Sequence, residues 1–282
     1  MSDTVATKVA LVTGGASGIG AALCAKLARD GAVVWIADRQ IEPAQELAQR
    51  LTGSGGRAYA TELDVRSYSS FQRAVTEVVD RSGPIDYLFN NAGIGVGGEI
   101  DSYTLDDWND VFAVNLGGVV HGIQAVYPGM IARRSGHIVN TASMAGLIPT
   151  PGQASYAATK HAIVAISKSL RMEARRHGIQ VSVLCPGAIR TPILTGGVYG
   201  RNNVSDENLL KLGETLRPMS PEKFAAQALR AVVRGRAIVV VPSWWKALWY
   251  LERLSPSLSM RAANVALKRI RQVEFTATKP AS

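Results

Sequence analysis

The stretch TGGASGIG, Thr13 to Gly20, decides the fold class of this 282-residue chain. An apolar run that favours a strand precedes it, and a helical pattern follows it directly from Ala21. Its glycines allow a tight turn whose backbone N–H groups can approach a pyrophosphate, and the helix N-terminus adds a favourable dipole. A glycine-rich turn alone is weak evidence. Here strand, turn and helix follow in the order that a dinucleotide-binding motif requires.

Seven apolar runs with strand propensity alternate with helical patterns along the chain. The predicted strands are Val9–Thr13, Val33–Ala37, Ala58–Leu63, Ile85–Asn90, His137–Thr141, Gln180–Cys185 and Ile238–Val241. This alternation is typical of a parallel sheet covered by helices on both faces. The sequence therefore predicts an α/β fold with a doubly wound, seven-stranded parallel sheet.

The composition, 47% apolar and 19% charged with a mean hydropathy of +0.08, is that of a globular protein. It excludes a disordered chain, a collagen and a small disulfide-stabilised scaffold. The two cysteines, Cys24 and Cys185, indicate a reducing compartment. Met1 to Lys8 holds an acid and lacks the apolar core of a secretion signal, so we expect a cytoplasmic protein.

The net charge of +9 is concentrated near the C-terminus, because residues 221–282 hold 11 Lys/Arg and only 3 Asp/Glu. No nucleic-acid-binding motif accompanies this charge, so no nucleic-acid partner is expected. Two long stretches without charge, Val111–Ala132 and Gly136–Thr159, contain many polar residues and prolines. They lack the apolar density of membrane-spanning helices, and we interpret them as buried segments.

Asp38 ends the second predicted strand, 20 residues after Gly18. A carboxylate there can hydrogen-bond the adenosine ribose hydroxyls and would repel a 2′-phosphate, which favours NAD. Arg39 follows directly and could have the opposite effect, so NADP remains possible. An acid at a strand end can also be an ordinary helix cap.

Tyr156 and Lys160 lie four residues apart in a helix-compatible run, which places both side chains on one helix face. A neighbouring ammonium stabilises a phenolate, so the spacing fits a tyrosine that exchanges protons near neutral pH. Ser143 lies just beyond the fifth predicted strand, where a hydroxyl could bind a substrate oxygen. Alone, a Tyr–Lys pair is more often a surface feature.

Together these residues make the chain resemble the short-chain dehydrogenase/reductase superfamily, in its compact branch of about 250 residues. The resemblance covers about residues 7–241. It rests on seven motifs: Thr13–Gly20, Leu63–Val65, Asn90–Gly93, Asn115, Ser143, Tyr156–Lys160 and Pro186–Thr191. The resemblance implies a Rossmann-type sheet with strand order 3-2-1-4-5-6-7, and an enzyme that interconverts a secondary alcohol and a ketone.

The resemblance also implies a role for each catalytic residue. Tyr156 would be the general acid/base, Lys160 would lower the pKa of that tyrosine, and Ser143 would hold the substrate oxygen. Asn115 would hold a water that connects Lys160 to solvent. The residues expected to bind the cofactor are Gly14, Ser17, Gly18, Ile19, Gly20, Asp38, Arg39, Asp64, Val65, Asn91, Ala92, Gly93, Tyr156, Lys160, Pro186, Gly187, Ile189 and Thr191.

Other interpretations follow from the rest of the chain. The scattered histidines show no metal-ligand spacing, so no metal site is expected. Helices around Asn115 and Tyr156 resemble those that pair in this family, which implies a homodimer or homotetramer. A protein that senses nicotinamide dinucleotides without turnover is the alternative function.

We expect residues 1–242 to form one dinucleotide-binding and catalytic domain, with a substrate loop at about 192–220. That loop is rich in apolar residues, which favours an apolar or bulky substrate of steroid, retinoid or aryl-carbinol type. Residues 243–282 form a basic, tryptophan-rich helical extension with an apolar stripe of Trp244, Trp245, Leu248 and Leu251. The extension could be structural packing, a lid over the substrate or a membrane-surface anchor, and packing is preferred.

Overall fold

The computed structural model describes residues 5–194 and 217–277. All seven predicted strands are present, and their ends lie within two residues of the predicted ones. They are β1 (Val9–Thr13), β2 (Val33–Asp38), β3 (Arg57–Glu62), β4 (Tyr87–Asn90), β5 (Gly136–Thr141), β6 (Ile179–Pro186) and β7 (Ile238–Val241). The strands are short and rich in Val and Ile, as expected of a sheet buried on both faces.

The strands form one parallel sheet of order β3-β2-β1-β4-β5-β6-β7, which confirms the Rossmann-type prediction. The order reverses between β1 and β4, so the loops after these two strands diverge. A crevice opens at such a reversal, beyond the carboxyl ends of the strands.

Nine helices belong to the described part of the chain. They are α1 (Gly18–Arg29), α2 (Ile41–Gly53), α3 (Tyr68–Ser82), α4 (Leu105–Val111), α5 (Gly118–Arg133), α6 (Ala154–Ala174), α7 (Pro221–Val233), α8 (Lys246–Leu254) and α9 (Pro256–Ala277). Two separate apolar cores hold six of these helices to the sheet. One core contains residues of α3, α5 and α6, and the other contains residues of α1, α2 and α7.

Local sequence signals explain where several helices begin. The Ser67 hydroxyl accepts a hydrogen bond from Ser70 N at the start of α3, and Thr104 and Asp107 form a capping box at the start of α4. Between α4 and α5 the chain makes a π-helical turn, Phe112–Gly117. Such turns hold one extra residue, and they occur frequently at functional sites.

After β7 the chain makes a short 3₁₀ turn, Ser243–Trp245, and then enters α8 and α9. Trp245 is buried and, with the partly buried Leu248 and Trp249, packs on the core beneath α6. The predicted stripe is therefore wrong for Trp244, which is 53% exposed, because residues 243–245 turn more tightly than an α-helix. Among the described residues, no helix is both long and apolar enough to cross a membrane.

Candidate active site

The loop between β1 and α1 is closed so tightly that two of its positions must be glycine. Gly14 has φ +60°, in the left-handed region that favours glycine. A β-carbon on Gly20 would lie 2.0 Å from the Gly14 carbonyl oxygen. The loop leads directly into the N-terminus of α1. There the free backbone N–H groups and the helix dipole favour the binding of an anion.

Thr13, the last residue of β1, connects this loop to the loop after β4. Its hydroxyl accepts hydrogen bonds from the backbone N–H groups of Asn91 (2.9 Å) and Ala92 (3.0 Å). The Asn91 side-chain amide donates in return to the Thr13 carbonyl at 3.1 Å. The sequence alone predicts Thr13 only as the first residue of the glycine-loop motif. Its hydroxyl role depends on two strands that are 78 residues apart and adjacent in the sheet.

Asp38 ends β2 with its carboxylate fixed by backbone donors. One oxygen accepts from Ala16 N at 3.0 Å, and the other accepts from Gln40 N at 3.1 Å. The carboxylate and the exposed Arg39 both line the cleft above the glycine loop. The alternative of a simple helix cap fits less well, because Asp38 holds the glycine loop as well as the start of α2.

A second charged pair borders the same end of the cleft. The Arg66 guanidinium bonds the Asp64 carboxylate, with Nη2 and Oδ2 2.6 Å apart, and it lowers the pKa of that carboxyl group. Asp64 in turn raises the pKa of Arg66. Arg66 was not among the predicted site residues, although it lies directly after the Leu63–Val65 motif. Its position beside Asp64 depends on how this turn folds, and no sequence spacing predicts it.

Tyr156 and Lys160 lie on α6, with the Lys160 ammonium nitrogen 5.2 Å from the centre of the Tyr156 ring. Lys160 is 3% exposed, and its Nζ donates a hydrogen bond to the Thr141 carbonyl at the end of β5 (3.0 Å). Burial lowers the pKa of Lys160 to about 8. The lysine therefore loses its proton more readily than a free one.

Tyr156 is partly exposed to the cleft, and Ser143 lies beside it. Burial raises the pKa of the Tyr156 phenol, and the hydrogen bond with the Ser143 hydroxyl opposes this shift. The Ser143 hydroxyl also accepts from Ala145 N at 3.1 Å, which orients it. A lowering of the Tyr156 pKa by Lys160 stays a prediction, since burial also disfavours the charge of the lysine.

Asn115 lies in the π-helical turn and is completely buried. Its side chain accepts from Ile94 N at 2.9 Å and donates to Ile94 O and to the Thr159 hydroxyl, at 3.0 and 3.2 Å. Asn115 therefore holds the loop after β4 against α6. A β-carbon on Gly93 would lie 3.3 Å from the Asn115 oxygen and 3.5 Å from Lys160 Nζ, so both groups face the same glycine.

These elements surround one cleft of about 740 Å³ at the carboxyl ends of the strands. Of the predicted site residues, only Gly20 and Asn115 do not line it. Each lies directly behind the surface of the cleft and supports a residue that does. We call the part of the cleft that holds Ser143 and Tyr156 the reacting end. The cleft is also lined by apolar side chains, Ile94, Val96, Met144, Ile148, Ile193 and Trp245, and by the polar residues Asp107, Asp110, Thr150 and Gln153.

Most of the predicted substrate loop, including Val198, Tyr199, Leu209, Leu210 and Leu212, lies outside the described residues. Met219, near the C-terminal end of this predicted loop, forms an isolated β-bridge with Ile189. Arg190 N donates a hydrogen bond to Met219 O, and Met219 N donates one to Ala188 O. In the described part of the chain, no group of three or more His, Cys, Asp or Glu side chains could hold a metal ion.

The cleft suits a nicotinamide dinucleotide. The glycine loop and the N-terminus of α1 would hold the pyrophosphate, Asp38 would hold the adenosine ribose, and Lys160 and Ile189 line the same cleft. The family model described as "short chain dehydrogenase" matches residues 8–197. The chain is a short-chain dehydrogenase/reductase.

Individual members of the superfamily resemble it over nearly their whole length. The 2,5-dichloro-2,5-cyclohexadiene-1,4-diol dehydrogenase LinX of Sphingobium indicum is 38% identical over 247 residues, covering 86% of this chain and 98% of LinX. A short-chain dehydrogenase/reductase from Burkholderia phymatum, solved in complex with NAD, has a TM-score of 0.81 at 29% identity, over 90% and 96% of the two chains. Levodione reductase has a TM-score of 0.76 at 30% identity, over 84% and 96%.

This short-chain dehydrogenase/reductase is therefore an oxidoreductase of the NAD(P)-dependent type that acts on alcohol groups. The seven motifs of the resemblance lie along the described cleft or directly behind it.

Proposed function

We propose that this enzyme interconverts a secondary alcohol and a ketone on an apolar ring, with NAD as the hydride acceptor and Tyr156 as the general acid/base. One observation carries the proposal: Tyr156, Ser143 and Lys160 line one cleft together with a group of apolar side chains. A polar pair beside apolar side chains can orient one oxygen of a substrate whose remainder is apolar.

Ser143 and Tyr156 act together on that oxygen. The Ser143 hydroxyl hydrogen-bonds the substrate oxygen and positions it beside the phenol. In the oxidative direction the Tyr156 phenolate removes the hydroxyl proton, and the carbon–hydrogen bond of the carbinol breaks as the carbonyl forms. When bound, the nicotinamide supplies the hydride chemistry at its ring. The protein supplies the orientation and the proton transfer.

Lys160 and Asn115 prepare the tyrosine for this step. A protonated Lys160 beside the ring stabilises the phenolate, and its pKa of about 8 allows it to release a proton at moderately alkaline pH. Asn115 fixes the loop of Ile94 against α6 and keeps Gly93 close to the lysine. The water relay through Asn115 remains part of the proposal.

Two relatives support the substrate class. LinX is named for a cyclohexadiene-diol and levodione reductase is named for a dione, so both names specify molecules with two oxygen functions. The apolar border of the reacting end in this chain suits a compact ring of that kind better than a sugar, which needs more converging polar groups.

The test compares Tyr156→Phe with wild type on a panel of cyclic secondary alcohols and ketones, using both nicotinamide dinucleotides. The variant keeps the ring and removes the proton-transferring oxygen. We expect kcat to fall by roughly 10²- to 10⁴-fold and the Kd for NADH to change less than threefold. The matched control, Tyr59→Phe, alters a half-exposed tyrosine on β3 and should behave as wild type.

Near-normal turnover by Tyr156→Phe would overturn the assigned mechanism. If the wild type binds NADH, as detected by its fluorescence, yet oxidises and reduces nothing on the panel, the alternative of a silent nucleotide sensor takes its place.

A further inference from the structure

The C-terminal extension packs on the rest of the subunit with one side only. Trp245, Leu248 and Trp249 contact the core. On the opposite side of α8, Tyr250 is 54% exposed and Leu254 is 85% exposed. Helical spacing separates the two groups, because residues 250 and 254 share a face that residues 248 and 249 do not. Large apolar side chains of this short helix therefore face outward.

The helix α9 has the same arrangement. Its Ser259 is buried, whereas Leu258 and Val265 are about half exposed. The exposed Arg261 and Lys268 lie between and beyond these two residues. Positions 258, 261, 265 and 268 are spaced by three, four and three, which places them on one helix face. That face alternates apolar and cationic side chains.

The exposed faces of α8 and α9 adjoin where one helix turns into the other, because Leu254 ends α8 and Leu258 lies in the first turn of α9. Trp244 extends the exposed apolar surface before α8, and its ring stacks on Trp245 with centroids 4.6 Å apart. We call the exposed side of this helix pair the outer face. Its apolar members are Trp244, Tyr250, Leu254, Leu258 and Val265.

The charges of the outer face all have one sign. Its exposed charged side chains are Lys246, Arg253, Arg261 and Lys268. From Ser243 to Arg271 the sequence contains one acid, Glu252. This residue is only partly exposed, and its Oε2 oxygen is buried. The outer face is therefore cationic as well as apolar, and it is complementary to an anionic surface.

This combination fits a second copy of the chain poorly. A symmetric contact between two copies pairs a face with itself, so it would bring these cations against the same cations of the partner. Protein interfaces are also depleted of lysine at their centre. A nucleic-acid backbone would pair with the cations, but it would leave the exposed leucines without apolar cover.

A lipid surface of negative charge satisfies both kinds of side chain. Helices that lie on membranes combine aromatic and aliphatic residues with Lys and Arg. Trp and Tyr rings favour the level of the headgroups, and long basic side chains reach the phosphates from beside apolar neighbours.

We propose that the outer face binds the surface of an anionic lipid bilayer, with its apolar side chains at the acyl boundary and its cations at the headgroup phosphates. Core packing and membrane contact, which the sequence offers as alternatives, then belong to opposite sides of the same extension. The inference does not depend on the proposed function, because binding of lipid needs neither nucleotide nor turnover.

The test measures co-sedimentation of the full chain with two kinds of vesicle: phosphatidylcholine alone, and phosphatidylcholine with one-third phosphatidylglycerol. We expect binding to the anionic vesicles that weakens at high salt, and little binding to the neutral ones. Lys268→Gln removes one charge and should lower the partition coefficient about fivefold. Val265→Ser removes an apolar contact and should lower it roughly five- to tenfold.

Each variant has a matched control elsewhere on the surface. Lys223→Gln removes an exposed lysine of α7, and Val79→Ser removes an exposed valine of α3. Both controls should bind anionic vesicles as wild type does. Because all four side chains are exposed, the melting temperatures should stay close to that of wild type, which circular dichroism checks.

Three results would overturn the proposal. The first is equal binding of wild type to neutral and anionic vesicles, and the second is an equal loss in the test and control variants. The third is a wild type that binds neither vesicle and forms an oligomer that Val265→Ser dissociates, as measured by sedimentation velocity without lipid. That result would show that another copy of the chain covers the outer face.

Discussion

We expect the charges around Asp38 in the cleft to determine which dinucleotide is accepted. Asp38 is fixed by two backbone donors, and the guanidinium of Arg66 is engaged by Asp64. Arg39 is exposed, and its side chain lines the same end of the cleft. A fixed carboxylate opposes a 2′-phosphate, whereas an arginine that can move toward the phosphate would attract it.

We therefore expect wild type to have a higher kcat/KM with NAD than with NADP. Asp38→Asn keeps the shape of the side chain and removes its charge, so the preference for NAD should shrink by roughly tenfold or more. Steady-state kinetics with both nucleotides measures this. Arg39→Gln should lower the remaining NADP activity. A wild type that prefers NADP would contradict the assignment of Asp38.

Residue by residue, the sequence predicts which side chains line the cleft wherever a side chain follows a strand or lies at helical spacing. Asp38 and Ser143 belong to the first kind, and Tyr156 with Lys160 to the second. Thr13 and Trp245 are different. Their contacts depend on which strands become neighbours and on how a short turn directs a ring, and local spacing predicts neither.

Among the elements, α9 is connected to the loop after β4 by an ion pair. Arg271 bonds Glu99, with Nε and Oε1 2.6 Å apart, and lowers the pKa of that carboxyl group. Glu99 lies in the segment after β4 that carries Ile94 and Val96 to the reacting end. The pair therefore joins the C-terminal extension to the loop after β4.

Neutralising either partner should loosen this segment. In Arg271→Gln and in Glu99→Gln we expect the amides of residues 94–104 to exchange with deuterium about two- to fivefold faster, the range of an exposed ion pair. The double variant should exchange no faster than either single one, because the residues act as a pair. Arg261→Gln, on the same helix, is the control. Additive effects in the double variant would show that the two residues act independently.

Because the pKa of Glu99 is lowered in the folded protein, the pair contributes at neutral pH and is lost as the pH falls through that lowered value. The faster exchange of the single variants should therefore disappear in acid, where wild type has lost the same contact.

The seven strands could be predicted because each is a short apolar run bounded by turns, and a parallel sheet buries both of its faces. The apolar stripe of the extension was harder to predict. A helix of nine residues can bury different sides, depending on the direction in which the preceding turn starts it. Here the 3₁₀ turn buries Trp245 and exposes Trp244.

Over the whole molecule, the excess positive charge belongs to the last quarter of the chain, whereas the cleft is shared by acidic and basic groups. Exposed apolar side chains also occur on α6 and on the segment from α4 to α5, with Met172 75% and Leu105 80% exposed. These are the helices whose resemblance to family members implies a homodimer or homotetramer, and that assembly remains a prediction.

The stability of the whole molecule should depend on the protonation of His137 in β5. Its ring is buried, and its Nε2 lies 2.9 Å from the Ser182 hydroxyl, which itself donates to Arg236 O. The neutral ring, with its proton on Nε2, satisfies this chain of hydrogen bonds. Burial and the nearby Arg171 lower the pKa of His137 to about 4.

The unfolded chain binds a proton on this histidine below about pH 6.5, but the folded protein does not until about pH 4. The free energy of unfolding should therefore fall as the pH decreases between these values, by about 2–3 kcal/mol from pH 7 to pH 4.5. Urea denaturation of wild type and His137→Gln measures this loss. The variant should lose less over the same range, and parallel curves would contradict the assignment.

The direction of the Asn115 side chain depends on the π-helical turn Phe112–Gly117. Deleting any one residue of the turn would leave an ordinary α-helix and rotate the chain on one side by about 100° relative to the other. Asn115 and α4 could then not both keep their present directions. The orientation of this side chain therefore depends on the number of residues in the turn. Substitutions leave that number unchanged, whereas a single in-frame deletion changes it.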